Sequence, residues 1–480
     1  MLDSIGKFFV TIADFLCGYP LFFLLIGGGL FLFIRSGAVS VHRLPAALKA
    51  LRQTKSEKDG KNTPGTGQSG EISSAAALVS VVAATVGLGN IAGVAIAIVM
   101  GGPGAIFWMW VSAMVGMATK YHEGALSIMY KGRDADGKPK GGMMYVIEKG
   151  LGPKWRPMAV FFAFAGLFGT LCIINANQLT EGFMSTFTTP ESVASNSFLG
   201  GIAGIVGMSN ESMFKLLFGI TMALIVAVVV LRGIKSIAKV SSVVVPVMVG
   251  VYFLMVLYII VTHFYALPTA IASIFTEAFS LKAGFGAFAG IAIIGARRAA
   301  LVNDAGIGTA SIMHGASNNN IPVKEGLVAM LGPSIDSGFV CTLTAIALLL
   351  CGDFTNVEGV KGLEVAMHAF DSAIPGGAYL LMILAAIFAL SSMFSYSYYG
   401  TSCATYLFGA RRARWYTYAY IISLIVFAVV PVEAAVGMCD LFYAFMAIPT
   451  MITLIALSGR VKRVTNEFFG AKNKGTKENA

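Results

Sequence analysis

The sequence predicts an all-α membrane protein with many spanning helices, and its composition, its apolar segments and its charge distribution lead to that class. Hydrophobic residues make up 56% of the 480 positions, charged residues only 12%, and the mean hydropathy is +0.78. Such values are typical of polytopic membrane proteins rather than soluble globular domains. The 55 glycines agree with this, because glycine is more frequent in membrane helices than in soluble ones.

Apolar segments of the length that crosses a bilayer recur along the whole chain. The segment 377–408 is long for one span, which predicts a tilted helix. The segment 267–299 is interrupted by glycines, which predicts a broken helix. The eleven predicted spans are 17–34, 72–100, 104–128, 156–180, 213–231, 238–262, 267–299, 324–351, 377–408, 414–431 and 438–458.

The span 72–100 holds the motif around which the other spans are arranged. Its middle, residues 85–90, reads TVGLGN, and two glycines around one leucine disfavour a continuous helix. A break at membrane depth frees backbone N–H and C=O groups, which are stable only inside protein or along a cavity. Freed carbonyls bind cations and half-helix N-termini attract carboxylates, so the motif predicts a binding site. Close helix packing at the glycines is the alternative.

The ten spans after the first divide into two sets of five, which predicts two repeats. The predicted regions are 1–71 with the extra helix and a cytoplasmic loop, the repeats 72–262 and 263–458, and a cytoplasmic tail 459–480. An odd number of spans in each set gives the two sets opposite orientations. The first helix of each set is rich in glycine, in the second set between Gly284 and Gly290. Paired broken helices at corresponding positions indicate a secondary transporter with inverted repeats.

The lysines and arginines lie almost entirely on one side of the predicted topology. With the loop 35–71 in the cytoplasm, 30 of the 34 basic residues fall on cytoplasmic segments, including Lys120, Arg297 and Arg298. This bias follows the positive-inside rule and predicts a multi-pass plasma-membrane protein with its N-terminus outside and its C-terminus in the cytoplasm. The net charge of +10 is then explained by contact with membrane lipids, which argues against nucleic acid as a partner.

Several polar residues lie inside predicted spans, and each has a structural and a functional interpretation. Asn175, Asn177 and Gln178 end the fourth span, where they either join helices or, for Gln178, reach a substrate cavity. Asp336 is an intramembrane carboxylate, which by default indicates function, with capping of a helix break as the alternative. The last span contributes one more polar candidate, Asp440.

Two further pairs of residues are candidates for binding ions or substrate. Ser391 and Ser392 are adjacent hydroxyls, and hydroxyl oxygens are hard donors of the kind that Na⁺ needs. Hydrogen bonding back to the preceding helical turn is the alternative for these serines. Phe285 and Phe288, in the second glycine-rich segment, could form an apolar wall for a substrate side chain, with ordinary packing as the alternative.

The resemblance of this sequence to a known family rests on one long motif and several shorter ones. The long motif is AATVGLGNIAGVAIAIVMGGPGAIFWMWVSAMVGMATKYHEGAL, residues 83–126. The shorter motifs are GGMMYVIEKGLG, GIKSIAKVSSVVVP, EGLVAMLGPSIDSGFVCTLTA, SYSYYG and CDLFYAFMAIPTMI. Together they resemble the alanine or glycine:cation symporter family. The resemblance implies a LeuT-type 5+5 inverted repeat of transmembrane helices preceded by one extra N-terminal helix.

The resemblance also implies a Na⁺ site and a substrate site at the first helix break. Backbone carbonyls and serine hydroxyls would bind Na⁺, from Ala83, Val86, Phe388, Ser391 and Ser392. Backbone N–H groups near Leu88 and Gly89 would bind the substrate carboxylate, and the Asn90 side chain would be available to substrate or to a second ion. The candidate substrate-binding residues are Thr85, Leu88, Gly89, Asn90, Gln178, Phe285 and Phe288, with Asn175, Asp336 and Asp440 as secondary polar candidates.

Two stretches depart from the family pattern. Where the family usually has Gly-Thr-Gly-Asn, this chain has GLGN at 87–90, so one hydroxyl is missing from the site. After the second broken helix the family reads near RGLFSNEAGxGSAP, whereas this chain has RRAALVNDAGIGTASI at 297–312. These departures affect the expected substrate and coupled ion more than the expected fold.

The predicted function is Na⁺-coupled import of small neutral amino acids, alanine or glycine first, by alternating access. The alternatives are a carrier of another amino acid such as glutamine or serine, and a Na⁺-independent or proton-coupled carrier. We expect no organic cofactor and no obligate protein partner. An intramembrane enzyme is disfavoured because the five histidines fall in loops or at helix ends of the predicted topology. A channel is disfavoured because no filter-like ring of carbonyls or charges is evident.

Overall fold

The computed structural model shows a chain that is almost entirely helical. It describes residues 16, 19–56, 71–134, 139–188, 201, 203–205, 207–279, 285–352, 362–430 and 432–477. The helices are α1 (Pro20–Arg35), α2 (Val39–His42), α3 (Leu44–Ser56), α4 (Ser74–Thr85), α5 (Gly89–Gly101), α6 (Gly104–Met129), α7 (Met143–Val146), α8 (Arg156–Gly169), α9 (Ile173–Phe187), α10 (Asn210–Val230), α11 (Ile234–Thr262), α12 (Leu267–Ala278), α13 (Phe285–Val302), α14 (Thr309–Gly315), α15 (Pro322–Cys351), α16 (Gly362–Ala373), α17 (Gly377–Phe408), α18 (Ala410–Val429) and α19 (Val432–Lys477). A two-stranded antiparallel hairpin, β1 (Gly132–Arg133) and β2 (Pro139–Lys140), follows α6.

Within the described ranges, six helical stretches are long and apolar enough to cross a membrane when α8 and α9 are counted as one, and the bent pair α4–α5 makes a seventh. The predicted number of eleven spans is therefore not confirmed and stays a prediction. Helix α6 has 26 residues and α18 has 20, so both are long enough to cross the hydrocarbon core. Polar residues such as Lys120 in α6 and Arg412 in α18 lower their mean hydropathy.

The bent pair α4–α5 lies at the centre of the helix assembly, as the TVGLGN motif predicts. Helix α4 ends at Thr85, α5 begins at Gly89, and the two are inclined to each other by 59°. Helix α4 packs mainly against α11 and α17, α5 packs mainly against α13 and α16, and α15 contacts both halves. The break therefore lies beside α15, at the point where the other partners of the segment change.

The predicted position of the second break, between Gly284 and Gly290, is wrong. Residue 284 lies outside the described residues, and α13 runs without interruption from Phe285 to Val302. The helix breaks instead at residues 303–308, where Asp304, Gly306 and Gly308 have φ of 52°, 86° and 93°. A left-handed backbone is easy for glycine and tolerable for aspartate, so this stretch cannot continue a right-handed helix.

Packing explains a further glycine inside α13, Gly295. Helix α13 lies along α6, and a Cβ added at Gly295 would clash with the carbonyl oxygen of Ala105. The glycine therefore permits close helix packing, whose gain exceeds the cost of about 1 kcal/mol for glycine in a helix. The predicted span 267–299 also covers two helices, since α12 ends at Ala278 before α13 begins.

Two other predictions about the spans need correction. Arg297 and Arg298 lie inside α13, five and four residues before its end at Val302, and not in a cytoplasmic loop. The fourth predicted span is interrupted, because α8 ends at Gly169 and α9 starts only after Cys172, whose φ is 57°. The polar residues of that span therefore begin a second helix rather than end a continuous one.

The two broken helices are joined at one end of the molecule. Ile72, just before α4, forms a parallel β-bridge with Ser317, just after α14. The N–H of Asn318 donates to the carbonyl oxygen of Ile72 at 2.7 Å. Beside this bridge, Ser74 and His314 both contact the Glu325 carboxylate, at 2.5 Å and 2.6 Å. The start of the first broken helix and the end of the second thus form one hydrogen-bonded unit.

Candidate functional site

The first break is held in shape by the side chain of Asn90. The side-chain Oδ1 of Asn90 accepts a hydrogen bond from the N–H of Gly87 at 2.9 Å, and the backbone N–H of Asn90 donates to the Gly87 carbonyl at 3.1 Å. Val86 is extended, with ψ of 94°, so α4 cannot pass directly into α5. The amide thereby satisfies a backbone donor that the break would otherwise leave unpaired inside the protein.

The other end of the Asn90 amide contacts α15. Its Nδ2 donates to Oδ1 of Asp336 and lies 3.4 Å from the sulfur of Cys341. Asp336 belongs to a π-helical turn, Ser334–Val340, and both Asn90 and Asp336 are fully buried. The intramembrane carboxylate thus supports the break through Asn90, which favours the capping interpretation for Asp336. In the described part of the chain, neither Oδ2 of Asp336 nor the buried hydroxyl of Thr85 has a hydrogen-bond partner of normal geometry.

A cluster of oxygen atoms lies between α4 and α17. The hydroxyl of Ser391 donates to the carbonyl oxygens of Ala83 at 3.2 Å and of Phe388 at 2.9 Å. The hydroxyl of Ser392 reaches the same two carbonyls, each at 3.1 Å. All four residues are fully buried. Four of the five predicted Na⁺ ligands are therefore brought together, and the carbonyl of Val86, three residues beyond Ala83, stays a prediction.

The donor set suits an alkali cation. Two hydroxyls and two carbonyls are uncharged hard oxygens, which match Na⁺ better than soft or nitrogen ligands do. The cluster adjoins the break itself, since a Cβ added at Gly87 would lie 3.0 Å from the Ser392 hydroxyl. An ion bound here would join α4 to α17 and would lie next to the bend that the TVGLGN motif produces.

The predicted substrate site has one accessible point in its backbone. Gly89 is exposed, whereas its neighbours Leu88 and Asn90 are fully buried. Gly89 begins α5, and the first N–H groups of a helix have no partner within that helix. A small anionic group could therefore reach the start of α5 at Gly89, where the helix dipole favours negative charge.

The polar residues of α9 have different surroundings. Asn177 is buried, and its Nδ2 donates to the carbonyl oxygens of Phe427 and Val430 at the end of α18. The Nδ2 of Asn175 reaches only the sulfur of Cys172, at 3.3 Å. Gln178 is half-buried and has no hydrogen bond to any described residue. Asn177 therefore joins helices, and the amide of Gln178 is available for a ligand.

The remaining predicted residues lie elsewhere or outside the description. Phe285 and Phe288 are in α13, but their side chains are outside the described residues. Asp440 is half-buried on α19 and lies close enough to Arg298 of α13 for electrostatic attraction. The prediction that all histidines lie in loops or at helix ends is wrong for two of them, because His122 is buried inside α6 and His368 lies in the middle of α16. His314 lies in the last turn of α14, as predicted.

The second break contributes residues that the sequence interpretation missed. Val302, at the end of α13, packs against Gly89 and Gly93, so the two breaks are adjacent. Glu123 of α6 accepts a hydrogen bond from the N–H of Gly306 at 2.8 Å, within the break. Asp304 is also buried there. The signal was present in the stretch NDAGIG at 303–308, where two glycines follow an aspartate.

Comparisons with known proteins agree with this geometry. The family model described as the sodium:alanine symporter family matches residues 2–480. The sodium/alanine symporter AgcS of Methanococcus maripaludis is 36% identical over 463 residues, which cover 95% of this chain and 96% of that protein. The "Probable sodium/glutamine symporter GlnT" of Bacillus subtilis is 29% identical over 481 residues, which cover 99% of this chain and 93% of that protein.

A solved structure also resembles this chain. The crystal structure of MhsT in complex with L-phenylalanine covers 82% of this chain and 89% of its own, with a TM-score of 0.52 and 17% sequence identity. At that identity the similarity bears on the fold alone. It supports a LeuT-like fold, in agreement with the two adjacent broken helices.

Proposed function

Because the chain belongs to the sodium:alanine symporter family, and is therefore a membrane transporter and not an enzyme, we propose that it imports alanine or glycine together with Na⁺. The observation that carries this proposal is the oxygen cluster between α4 and α17. There the hydroxyls of Ser391 and Ser392 meet the carbonyls of Ala83 and Phe388 beside the first break. Hard oxygen donors at a helix break are suited to binding the co-transported cation.

In the proposed mechanism, Na⁺ and the amino acid bind at adjacent points of the same break. Na⁺ binds between α4 and α17, and the substrate carboxylate binds the backbone N–H groups at Leu88 and Gly89. Ion binding fixes the angle of α4 and so orders the N–H groups at the start of α5. A ligand shifts a conformational equilibrium only through its different affinities for the two states. Na⁺ must therefore favour the state that binds the amino acid more tightly.

The proposed arrangement in the membrane follows the sequence prediction. Two five-helix repeats, 72–262 and 263–458, would move relative to each other around the two breaks, with the N-terminus outside and the C-terminus in the cytoplasm. The bias of basic residues toward one side supports this orientation, although Lys120, Arg297 and Arg298 lie inside helices and no longer contribute to it. Cysteine labelling at an introduced residue near either terminus in intact cells would test the orientation.

The proposed function is tested by transport of labelled alanine into liposomes that contain the purified protein. We expect saturable uptake that requires Na⁺, and counterflow when the liposomes are loaded with unlabelled alanine. A channel would give no counterflow, and equal uptake without Na⁺ would contradict the coupling. A competition screen with glycine, serine and glutamine separates the alternative substrates, among which glutamine appears in the name of one relative.

The two neighbouring amides of α9 provide a matched pair for locating the substrate. We expect Gln178→Ala to weaken alanine binding roughly tenfold, the effect of about one lost hydrogen bond, with an unchanged thermal unfolding temperature. We expect Asn177→Ala to lower the free energy of unfolding by about 1–3 kcal/mol, because the carbonyls of Phe427 and Val430 lose their donor. Binding calorimetry and thermal unfolding measure both effects. Reduced stability with normal affinity in the Gln178 variant would show that its role is structural.

Leu88 is the position at which this chain departs from its family inside the site. Leu88 is fully buried at the N-terminus of α5, where a threonine hydroxyl could donate a hydrogen bond and a leucine cannot. We expect Leu88→Thr to retain transport and to change the relative affinity for polar and apolar amino acids by roughly 1 kcal/mol. Competition by glycine, alanine, serine and larger amino acids measures the change. Identical profiles would mean that the Leu88 side chain faces away from the substrate.

A further inference from the structure

Three ionisable side chains lie near one another beside the second break, without a direct ion pair in the described part of the chain, and the proposed Na⁺ and substrate sites use none of them. Lys120 and Glu123 lie on α6, and Asp304 lies in the break between α13 and α14. Their exposed fractions are 1%, 0% and 2%. They are close enough for Lys120 to attract both carboxylates and for Asp304 to repel Glu123. A charged cluster this deeply buried is uncommon in a membrane protein and by default indicates function.

The hydrogen bonds of the cluster leave several of its polar atoms unused. Oε1 of Glu123 accepts from the N–H of Gly306 at 2.8 Å, and Oδ2 of Asp304 accepts from the hydroxyl of Tyr396 at 2.7 Å. Within the described residues, Nζ of Lys120, Oε2 of Glu123 and the nearby hydroxyl of Tyr399 are among the buried atoms that have no hydrogen-bond partner. Unused donors and acceptors in one dry cluster indicate that it accommodates something else.

The balance of charge indicates what the cluster binds. One ammonium and two carboxylates carry a net charge of −1 when all three are ionised, and an unbalanced buried charge is costly. One proton on either carboxyl makes the cluster neutral. A metal cation fits less well, because Lys120 repels it and the described residues contain no group of three or more His, Cys, Asp or Glu side chains placed as metal ligands.

Two tyrosine hydroxyls provide a route for a proton to this cluster. The hydroxyl of Tyr443, a half-buried residue of α19, donates to the hydroxyl of Tyr396 at 2.5 Å, and Tyr396 donates to Asp304. A proton moves along this chain when each hydroxyl passes on its own proton and accepts another from its neighbour. The titratable and charged groups that face Asp304 and Glu123 are Lys120, Cys172, Asp336, Tyr396, Tyr399 and Tyr443.

We propose that one exchangeable proton resides on either Glu123 or Asp304, near the ammonium of Lys120. This proton reaches the cluster through Tyr443 and Tyr396, and it regulates the second break during transport. The regulatory part rests on the proposed function. Ionised Glu123 accepts the Gly306 N–H strongly, whereas a protonated carboxyl is a weaker acceptor. Protonation therefore loosens the contact between α6 and the break, and deprotonation tightens it.

The first test detects the proton directly and does not depend on transport. Infrared absorption of protonated carboxyl groups is measured on the purified full-length protein from about pH 5 to about pH 9, the range around neutrality. We expect a protonated-carboxyl band that disappears as the pH rises, and we expect both Asp304→Asn and Glu123→Gln to reduce or shift it. The control Asp371→Asn, at an exposed carboxylate of α16, should leave the band unchanged. A band that neither cluster variant alters would overturn the proposal.

The second test measures Na⁺-dependent alanine uptake in proteoliposomes over the same pH range. We expect the uptake of the wild type to depend on pH. We expect Lys120→Met to move the midpoint upward by about 1 to 3 pH units, because without the ammonium the carboxylates hold their proton more firmly. Tyr443→Phe, a mild change far along the route, should slow the response to a pH jump and leave the midpoint in place. If uptake by the wild type does not depend on pH, the regulatory role is contradicted. If there is no uptake at any pH, the proposed function is contradicted, and the infrared test alone decides whether the proton is present.

Discussion

Simultaneous replacement of Ser391 and Ser392 by alanine is expected to raise the Na⁺ concentration for half-maximal alanine uptake by roughly 10- to 100-fold. Both hydroxyls are fully buried, and each reaches the carbonyl oxygens of Ala83 and Phe388 within 3.2 Å. Their removal deletes two of the four hard oxygens that the structure brings together. Each interaction between a polar group and a charge contributes about 1.5–3 kcal/mol, and partial relaxation of the site reduces the sum.

A matched control for this experiment lies on the same helix. Ser397 is also buried on α17, but its hydroxyl donates only to the carbonyl of Phe394 at 2.7 Å, in its own preceding turn. Ser397→Ala should therefore leave the Na⁺ dependence of uptake unchanged. If the Ser391/Ser392 double variant is folded and its Na⁺ dependence equals that of the wild type, the two hydroxyls are not ion ligands. In that case hydrogen bonding to the helix turn is their whole role.

Replacement of Asn90 by alanine is expected to lower the free energy of unfolding by about 3–5 kcal/mol and to abolish transport. The Asn90 amide accepts from the Gly87 N–H and donates to Asp336, and all of these groups are buried. Without the amide, a backbone donor and a carboxylate are both left without partners in a dry interior. From the sequence, the Asn90 side chain is expected to be available to substrate or to a second ion, whereas the structure shows that its amide joins α15 to the break.

A double variant separates the two contributions of Asn90. Asn90→Ala combined with Asp336→Ala removes the carboxylate together with its hydrogen-bond donor, so no buried carboxylate is left unpaired. The double variant should therefore lower the free energy of unfolding by less than the sum of the two single variants. Asn175→Ala, at an amide that contacts the sulfur of Cys172, serves as the control and should be close to neutral. Thermal unfolding of the purified proteins measures the coupling. An Asn90→Ala protein as stable as the wild type would show that the break does not depend on this amide.

The first break could be located from the sequence because its signal is local. Two glycines around Leu88 are followed by an asparagine whose side chain can hydrogen-bond to the nearby backbone. This combination disfavours a helix whatever the segment packs against. The position of Ser391 and Ser392 opposite Ala83 depends on contacts between distant segments. That placement came from the resemblance to a family, and the hydrogen bonds confirm that the residues meet.

The second break could not be located by the same reasoning, because glycine has two uses in membrane helices. Gly295 allows α13 to approach α6, whereas Gly306 and Gly308 adopt left-handed conformations that end a helix. Sequence alone does not distinguish the two uses. The cluster of Lys120 and Asp304 was missed for a different reason, since the basic residues of the chain had been assigned to loops by their charge. Only the packing of α6 against the break shows that this lysine is buried.

The hydrogen-bonded bridge between Ile72 and Ser317 has a mechanical consequence. It joins the N-terminus of α4 to the C-terminus of α14, while the C-terminus of α4 and the N-terminus of α14 lie at the two breaks. A tilt of α4 that preserves the bridge must also tilt α14, so we expect the backbone at the two breaks to change together. If Na⁺ binds at Ser391 as proposed, the tilt of α4 that it sets would therefore also change the position of α14 and of the break at Gly306.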